Sequence, residues 1–376
     1  MQFHMLPFHR MAGAIKLRLF LYKEIVMRLF EETGYVDIPG IKSYARANNI
    51  YFIFIYGGRG TGKTYGELQD CIRSGIYFLY LRRLGSQYDI LKTPEGMPFK
   101  ALNHDNGWNI GHSNLNKQLA AFYEMEPGED GKMRPAGEAL GLMSSLSTFA
   151  NLRSVDFSQV QELILDEFIL QPGERPIKNE AEVLFNAYET VNRNRELQGK
   201  EPVMLVCLAN SNELANPVFM ELGLVREAEK LRKDGRDYKV LKDKHMMLVD
   251  LARSKISEEK SNTVLYDLTR GTEFYDMAIK NAFAAEERGR IQSRPLKEYK
   301  PLVTVGELTI YKHKSRREYY CSSHRSGEPN TFGSGAKELM RFRSKYPQLW
   351  DAYIRNDIIF EEYLCEILFD KYWNFH

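Results

Sequence analysis

Three observations predict an α/β fold built on a parallel sheet. Residues 51–56 (YFIFIY) are a continuous apolar run rich in β-branched and aromatic side chains, the pattern of a strand buried on both faces. The next residues, Gly57-Gly58-Arg59-Gly60-Thr61-Gly62-Lys63-Thr64, fit G-x-x-x-x-G-K-[ST] and open a helical pattern. A third apolar run, QELIL at 161–165, leads into Asp166-Glu167. Together they predict the additional-strand (ASCE-type) P-loop ATPase core, joined to a small α+β C-terminal domain.

The elements follow in chain order. Residues 1–50 read as a helical N-terminal extension, with apolar and basic residues at helical spacing from Met11 to Phe30 and a turn at Asp37-Ile38-Pro39-Gly40. After the strand and the glycine-rich turn, TYGELQDCIRSG reads as a helix stopping at Gly75, and residues 76–81 (IYFLYL) as a second buried strand. Strand, helix and strand in this order make a βαβ unit. The stretch from 98 to 150 is irregular, and EPGEDGKMRPAGE reads as a surface loop or hairpin tip. The run at 161–165 is the third strand, 178–192 a helix and 203–208 (VMLVCL) a fourth strand, closing an ATPase domain over 51–222. Residues 223–296 are charge-rich and read as a lid or linker. The region 297–376 begins with a hairpin-like alternation, LVTVGELTIYKH, and ends in helical stretches near 335–345 and 350–370.

Composition narrows the classes further. The chain has 376 residues, 43% apolar and 12% aromatic, enough to bury a core without staples and too many for wholesale disorder. Cys71, Cys207, Cys321 and Cys365 stand apart with no metal-ligand or redox spacing, so free, buried thiols are expected. No run of about 18 apolar residues predicts a membrane span, and Lys16, Arg18, Lys23 and Glu24 break the N-terminal apolar pattern, against a signal peptide. The eight histidines show no ligand spacing. Fifty-two Lys+Arg against 50 Asp+Glu do not advertise a nucleic-acid partner, although a whole-chain sum hides opposed regions.

The motifs carry the chemistry. Glycines at 57, 58, 60 and 62 let backbone N–H groups close on phosphate oxygens, with Arg59 and Thr61 in the same turn. Lys63 is placed to reach the β and γ phosphates of ATP, and the Thr64 hydroxyl to ligate Mg²⁺. A chance glycine-rich turn is the alternative, disfavoured by the strand before it and the helix after it. At a strand end, Asp166 suits a Mg²⁺ carboxylate and Glu167 a base that activates water. Strand alternation points the two to opposite faces, which fits separate roles. Asn210, ending VMLVCLAN, either senses the γ-phosphate or is a turn residue leading to Asn212 and Asn216-Pro217. Arg193 and Arg195 lie in TVNRNRE near a helix end, where arginines are either solvated or act at a neighbouring subunit's phosphates.

In their order, GGRGTGKTY, YLRR, ILDEF, TVNRNRE and LAN resemble the DNA-encapsidation (genome-packaging) ATPases of small podophages with protein-primed genomes. The resemblance covers roughly residues 50–220, and GTEFYDMAIKNAF at 271–283 continues it weakly. It implies ATP hydrolysis coupled to translocation of double-stranded DNA through a portal into a procapsid. It implies a homo-oligomeric ring, typically a pentamer, working in the host cytoplasm while docked on the procapsid. It further implies Lys63 and Thr64 at ATP and Mg²⁺, Asp166 on the metal, Glu167 as catalytic glutamate and Arg193 as a trans-acting finger, with Arg195 next in line. Some members use a structural packaging RNA. Where the family often has a basic residue after its paired arginines, this chain has Leu84-Gly85-Ser86, leaving Arg82 and Arg83 as candidate DNA contacts.

Related packaging motors carry an RNase H-like nuclease at the C-terminus. Here the strand-like stretch holds Glu307 and no central Asp, so a nuclease-like domain without a nuclease site is expected. Glu361, Glu362, Glu366 and Asp370 fall at helical spacing and read as a solvated face. From Arg288 to Lys345 there are 14 Lys+Arg against 5 Asp+Glu, and Tyr311, Tyr319 and Tyr320 are interleaved. That block either tracks a phosphate backbone or is a solvated surface. A nucleotide-dependent DNA-binding switch and a packaging nuclease are the alternative readings.

Overall fold

The computed structural model describes residues 27–374 other than 171–173, 175, 211–213, 215, 261, 273–288, 328 and 329. Most of the N-terminal extension and the 273–283 part of the resemblance therefore lie outside the described residues, as does Asn212. The predicted turn at 37–40 is instead a helix start: α1 spans Ile38–Ala47, Asp37 Oδ1 accepts from Gly40 N at 2.9 Å, and Pro39 sits in the first turn. There proline's missing N–H costs nothing, and Asp is a good cap.

A nine-stranded sheet follows. Its strands are β1 (Phe52–Tyr56), β2 (Phe78–Arg82), β3 (Ile110–Asn114), β4 (Ala120–Pro127), β5 (Met133–Ser145), β6 (Glu162–Asp166), β7 (Met204–Ala209), β8 (Tyr238–Leu241) and β9 (Met246–Asp250), in the order β3-β4-β5-β2-β6-β7-β1-β9-β8. The run from β5 to β9 is parallel throughout, and β3, β4 and β8 pair antiparallel at the edges. β7 stands between β1 and β6 as the additional strand of the expected fold.

Along β1 the residues alternate between faces. Phe54 and Tyr56 enter one core and Ile53 and Ile55 the other, which is why the run reads as uniformly apolar. The second core is covered by α1, by α2 (Lys63–Arg73) and by α4 (Lys100–Asn106), which follows α3 (Gly85–Leu91). The first is covered by α5 (Glu180–Asn192), α6 (Pro217–Leu222) and α7 (Val225–Lys233).

The expected lid or linker at 223–296 thus begins as part of the nine-stranded sheet, because β9 pairs in register with β1 (Tyr56 with Asp250). The four-residue apolar run MMLV is short and follows two lysines, which concealed a buried interior strand. The irregular region at 98–150 contains α4 and three strands, with the GEDGK turn as a hairpin tip. Two short helices, α8 (Lys255–Lys260) and α9 (Val264–Thr269), come next.

The C-terminal sheet has the order β13-β10-β11-β12-β14, from β10 (Tyr299–Val305), β11 (Leu308–His313), β12 (Tyr319–Ser322), β13 (Asn330–Phe332) and β14 (Ile358–Phe360). Helices α10 (Ala336–Lys345), α11 (Gln348–Ile354) and α12 (Tyr363–Trp373) pack on it. The single helix expected near 350–370 is therefore split: Asn356 takes a left-handed φ of 63°, and β14 then pairs with β12. All four cysteines are buried and free. Among the described residues no helix is long and apolar enough to cross a membrane.

Candidate nucleotide and metal site

The carboxyl ends of β1, β7 and β6 lie side by side, and each releases a candidate residue there. β1 runs into the glycine turn. Gly57 has φ 145°, and a Cβ on it would stand 2.9 Å from Leu251 Cβ. Gly62, at φ 88°, precedes α2 and supplies no side-chain cap, so the first N–H groups of α2 are turned toward the turn. Lys63 is buried, and its Nζ donates to Gly58 O (2.8 Å), Gly57 O (3.3 Å) and Thr61 Oγ1 (3.1 Å). Gly60 is also left-handed, and Arg59 is exposed. A strap formed by the residues before α1 lies against the turn: Val36 N donates to Thr61 O, and the half-exposed Tyr35 ring packs over Gly62.

Thr64, on the first turn of α2, donates from Oγ1 to Asp166 Oδ2 at 3.1 Å. Octahedral Mg²⁺ holds oxygens at about 2.0–2.1 Å, which sets adjacent ligands about 2.9 Å apart. The two oxygens therefore have the spacing of neighbouring Mg²⁺ ligands. The same Oδ2 accepts from Tyr80 Oη at 2.6 Å and Arg82 Nη1 at 3.2 Å. Burial, reinforced by Asp166, raises the Tyr80 pKa well above the phenol range, which keeps it a donor.

Arg82 Nη2 also reaches Glu167 Oε2 at 2.5 Å. Burial opposes the Arg82 charge, but Tyr80, Asp166 and Glu167 more than offset it and raise its pKa. Strand alternation was expected to separate the two acids. The backbone instead turns left-handed at Glu167 (φ 56°), and both carboxylates meet one guanidinium. A non-glycine residue there costs of order 1–3 kcal/mol, a strain typical of functional positions.

Asn210 follows Ala209, which is in register with Tyr56, so it stands at the end of the strand between the P-loop and the acids. Arg83 is fully buried, bidentate to Glu180 (2.5 and 2.8 Å) and bonded to Glu174 (2.8 Å). Neither it nor Arg82 is displayed as a DNA contact, and Gly85-Ser86 begin α3.

Arg193 and Arg195 lie elsewhere. α5 starts at Glu180, beside Arg83, and runs toward the amino ends of the strands. There Asn192 Oδ1 accepts from Val203 N, and Arg195 Nη1 donates to Ser158 O and Val160 O, just before β6. Arg193 is exposed, strained (φ 45°), and donates to Thr190 O and Val155 O. A five-residue strand puts roughly 13 Å between this end and Asp166. The structure thus brings together Lys63, Thr64, Asp166 and Glu167 and leaves Arg193 at the opposite end of the sheet.

Tyr80 was missed as a site residue, and Arg82 was expected as a candidate DNA contact and not as part of this site. The signal was present in FLYLR, where Tyr80 and Arg82 share a strand face and end beside the acid-bearing strand. A second buried cluster was also missed. Lys42 Nζ bonds Glu67 (3.0 Å), Asp70 (2.7 Å) and Glu162 (2.7 Å), with Cys71 Sγ 3.3 Å from Glu162. Glu67, Cys71 and Glu162 are close enough to share a metal, but the lysine ammonium already lies among them.

In the C-terminal domain several expectations are overturned. Tyr311 and Tyr320 pack with Tyr299 in a small core and are no stacking platform, whereas Lys312, Lys314, Arg316 and Arg317 are exposed. Of the acids read as solvated, Glu361 accepts from Ser322 Oγ at 2.7 Å, Glu362 pairs with Arg226 at 2.7 Å, and buried Glu366 pairs with Arg290 at 3.6 Å.

Comparisons with known proteins agree with this fold. The DNA packaging protein of Bacillus phage phi29 is 29% identical over 258 residues, covering 67% of each chain. That of Bacillus phage B103 is 28% identical over 263 residues, covering 67% of this chain and 69% of the relative. The solved bacteriophage Phi-29 viral genome packaging motor assembly shares the fold, with a TM-score of 0.56 at 19% identity over 92% of this chain and 100% of that one. The Phi-28 gp11 DNA packaging motor aligns with a TM-score of 0.50 at 22% identity, covering 83% and 91%. A model of the podovirus DNA encapsidation protein (Gp16) family matches residues 40–309, well over half of the chain, and the protein belongs to that family.

Proposed function

We propose that this protein hydrolyses ATP to drive double-stranded DNA through a portal into a phage procapsid, as a homo-oligomeric, pentameric ring. The observation that carries the reading is the Thr64–Asp166 pair at metal-ligand spacing beside an open helix N-terminus, with Glu167 held next to it. Phosphates would be bound by the turn's N–H groups and by Lys63, which would exchange its bonds to the Gly57 and Gly58 carbonyls for phosphate oxygens. Thr64 and Asp166 would hold Mg²⁺, which when bound neutralises charge on the phosphates. Glu167 would orient and deprotonate the attacking water, and Asn210 would face the γ-phosphate from the intervening strand.

Arg193 would act in trans, because its own site is a strand length away; a neighbour's amino-end face would bring it there. The exposed basic residues on the β11–β12 loop suit a polyanion, either the DNA or a structural packaging RNA. Work at the procapsid implies the host cytoplasm. The C-terminal sheet reads as nuclease-like without a nuclease site, since the facing positions of β10 and β11 beside their turn hold buried Thr304 and Thr309, bonded to each other, and no carboxylate.

The test is ATP hydrolysis with and without double-stranded DNA across a salt series. Stimulation that falls steeply with salt is expected. Binding with a single slow turnover would support a DNA-bound switch instead, and cutting of plasmid with Mg²⁺ or Mn²⁺ would support a nuclease.

A further inference from the structure

One short helix joins the base of the nucleotide site to the C-terminal domain, and it is tied at both ends. Near its carboxyl end, Arg232 Nε of α7 donates to Asp250 Oδ2 at 2.5 Å, and the guanidinium lies 5.6 Å from the Tyr56 ring centroid. Tyr56 and Asp250 are paired last residues of β1 and β9. The next residue, Leu251, donates its N–H to Tyr56 O and is the residue a Cβ on Gly57 would strike. Arg232 therefore grips the two strand ends from which the glycine turn springs.

Near the amino end of α7, Arg226 Nε and Nη2 each lie 2.7 Å from Glu362 Oε1, and Glu229 Oε1 accepts from Tyr363 N at 3.1 Å. Glu362 and Tyr363 are the cap and first residue of α12, so Glu229 satisfies a first-turn N–H that has no partner within that helix. From Arg226 to Arg232 is about 9 Å of helix, too short to bend. A polar cleft of about 340 Å³, lined by Arg226, Thr304, Glu307, Ser323 and Arg325, opens beside the joint and leaves it room to move.

We propose that α7 is a rigid strut through which nucleotide occupancy of the P-loop sets the seating of the C-terminal domain, with Arg226 and Glu229 as positioning residues for α12. This rests on the nucleotide reading above. Filling the turn displaces Gly57 and its neighbour Leu251; Asp250 and Tyr56 carry Arg232 with them; the helix passes the shift to Glu362 and Tyr363.

The test is hydrogen exchange of the full chain with and without Mg²⁺ and a slowly hydrolysed ATP analogue. In the parent, slowed exchange is expected over 57–64, together with a change of about fivefold or more at the first amides of α12, the lower end of ordinary coupling. Glu229→Ala keeps the first response and reduces the second below about twofold. Glu229→Gln, whose amide oxygen accepts the same bond, restores it. Should Glu229→Ala melt below the assay temperature, Glu362→Ala carries the same expectation. Protection at 57–64 with no response at α12 in the parent, or a full response in the alanine variant, overturns the strut. No protection at 57–64 refutes the nucleotide reading and takes the strut with it.

Discussion

Replacing Arg82 with methionine separates metal holding from base positioning in the acid pair. Asp166 would lose one bond of 3.2 Å but keep Thr64, Tyr80 and the N–H of Glu167. Among the described contacts, the Glu167 carboxylate is held by Arg82, at 2.5 Å, with 18% and 20% of the two side chains exposed. Hydrogen bonds to charged groups contribute about 1.5–3 kcal/mol each. With partial solvent screening, the two lost bonds should cost the nucleotide-free protein about 2–3 kcal/mol. Turnover follows from the freed side chain. An unrestrained Glu regains about 1.5–2 kcal/mol of rotamer entropy, and each 1.36 kcal/mol is tenfold in rate, so kcat should fall about 10–30-fold. Lys63 and Thr64 are untouched and Asp166 keeps its bonds from Thr64, Tyr80 and the Glu167 N–H, so nucleotide affinity should stay within about threefold. Steady-state ATPase, a fluorescent-nucleotide titration and a thermal melt read the three quantities separately. An unchanged or raised kcat would mean that Arg82 restrains Glu167 and does not position it. A collapse of affinity at parental kcat would move Arg82 to the nucleotide itself.

Glu167→Gln should retain nucleotide binding and lose turnover by about 10²–10⁴-fold, the usual contribution of a general base; hydrolysis at the parent rate removes Glu167 from that role. Arg193→Ala subunits mixed with Lys63→Ala subunits should regain DNA-stimulated hydrolysis, since an intact P-loop then meets an intact arginine; failure to complement argues against a trans-acting finger. Gly57→Ala should abolish nucleotide binding and destabilise the fold, because φ is 145° and the added methyl meets Leu251 Cβ at 2.9 Å, measurable by titration and melting. Burial alone would raise the Glu361 carboxyl, but hydrogen bonds from Ser322 and His324 and the His324 charge hold it below its usual 4.5. Its contribution is therefore complete above the unfolded value and lost as pH falls through the lower folded one; Glu361→Gln should flatten the acid limb of a pH–stability curve below about pH 4.5.

The nucleotide half of the site was legible because its chemistry is local. A turn needing positive φ demands glycine, and a metal acid demands a strand end, so Gly57 to Thr64 and Asp166 announce themselves. What escaped depends on pairing between distant strands. Tyr80 matters only because β2 lies against β6, and nothing in FLYLR says which strand is its neighbour. β9 was hidden for the same reason: MMLV is too short to stand out, yet pairing with β1 makes it a buried strand inside the sheet. Lys42, in the run IKSYAR, looks like a surface lysine until α1 packs on α2 and three acids close around it. The acids 361, 362 and 366 misled because helical spacing was extended across a break that only β14 pairing reveals.

The sheet's polarity is what ties the proposed trans role of Arg193 to the proposed assembly. The neighbouring strands β5, β2, β6, β7, β1 and β9 point the same way, so the P-loop, the metal pair and Glu167 must emerge together at one end. α5 carries the chain back to the other end, where Arg193 and Arg195 are anchored to backbone carbonyls. An arginine pinned there cannot fold round to its own nucleotide, because its side chain is shorter than the strands it would have to pass. Its strained φ and exposure nonetheless are features that persist where function requires them. On the proposed trans-acting reading, the nucleotide face of one subunit would meet the Arg193 face of the next. Such head-to-tail contacts would close into the proposed ring where the rotation per subunit permits it. The near-equal totals of 52 basic and 50 acidic residues are compatible with a polyanion partner, since Lys312, Lys314, Arg316 and Arg317 are exposed together.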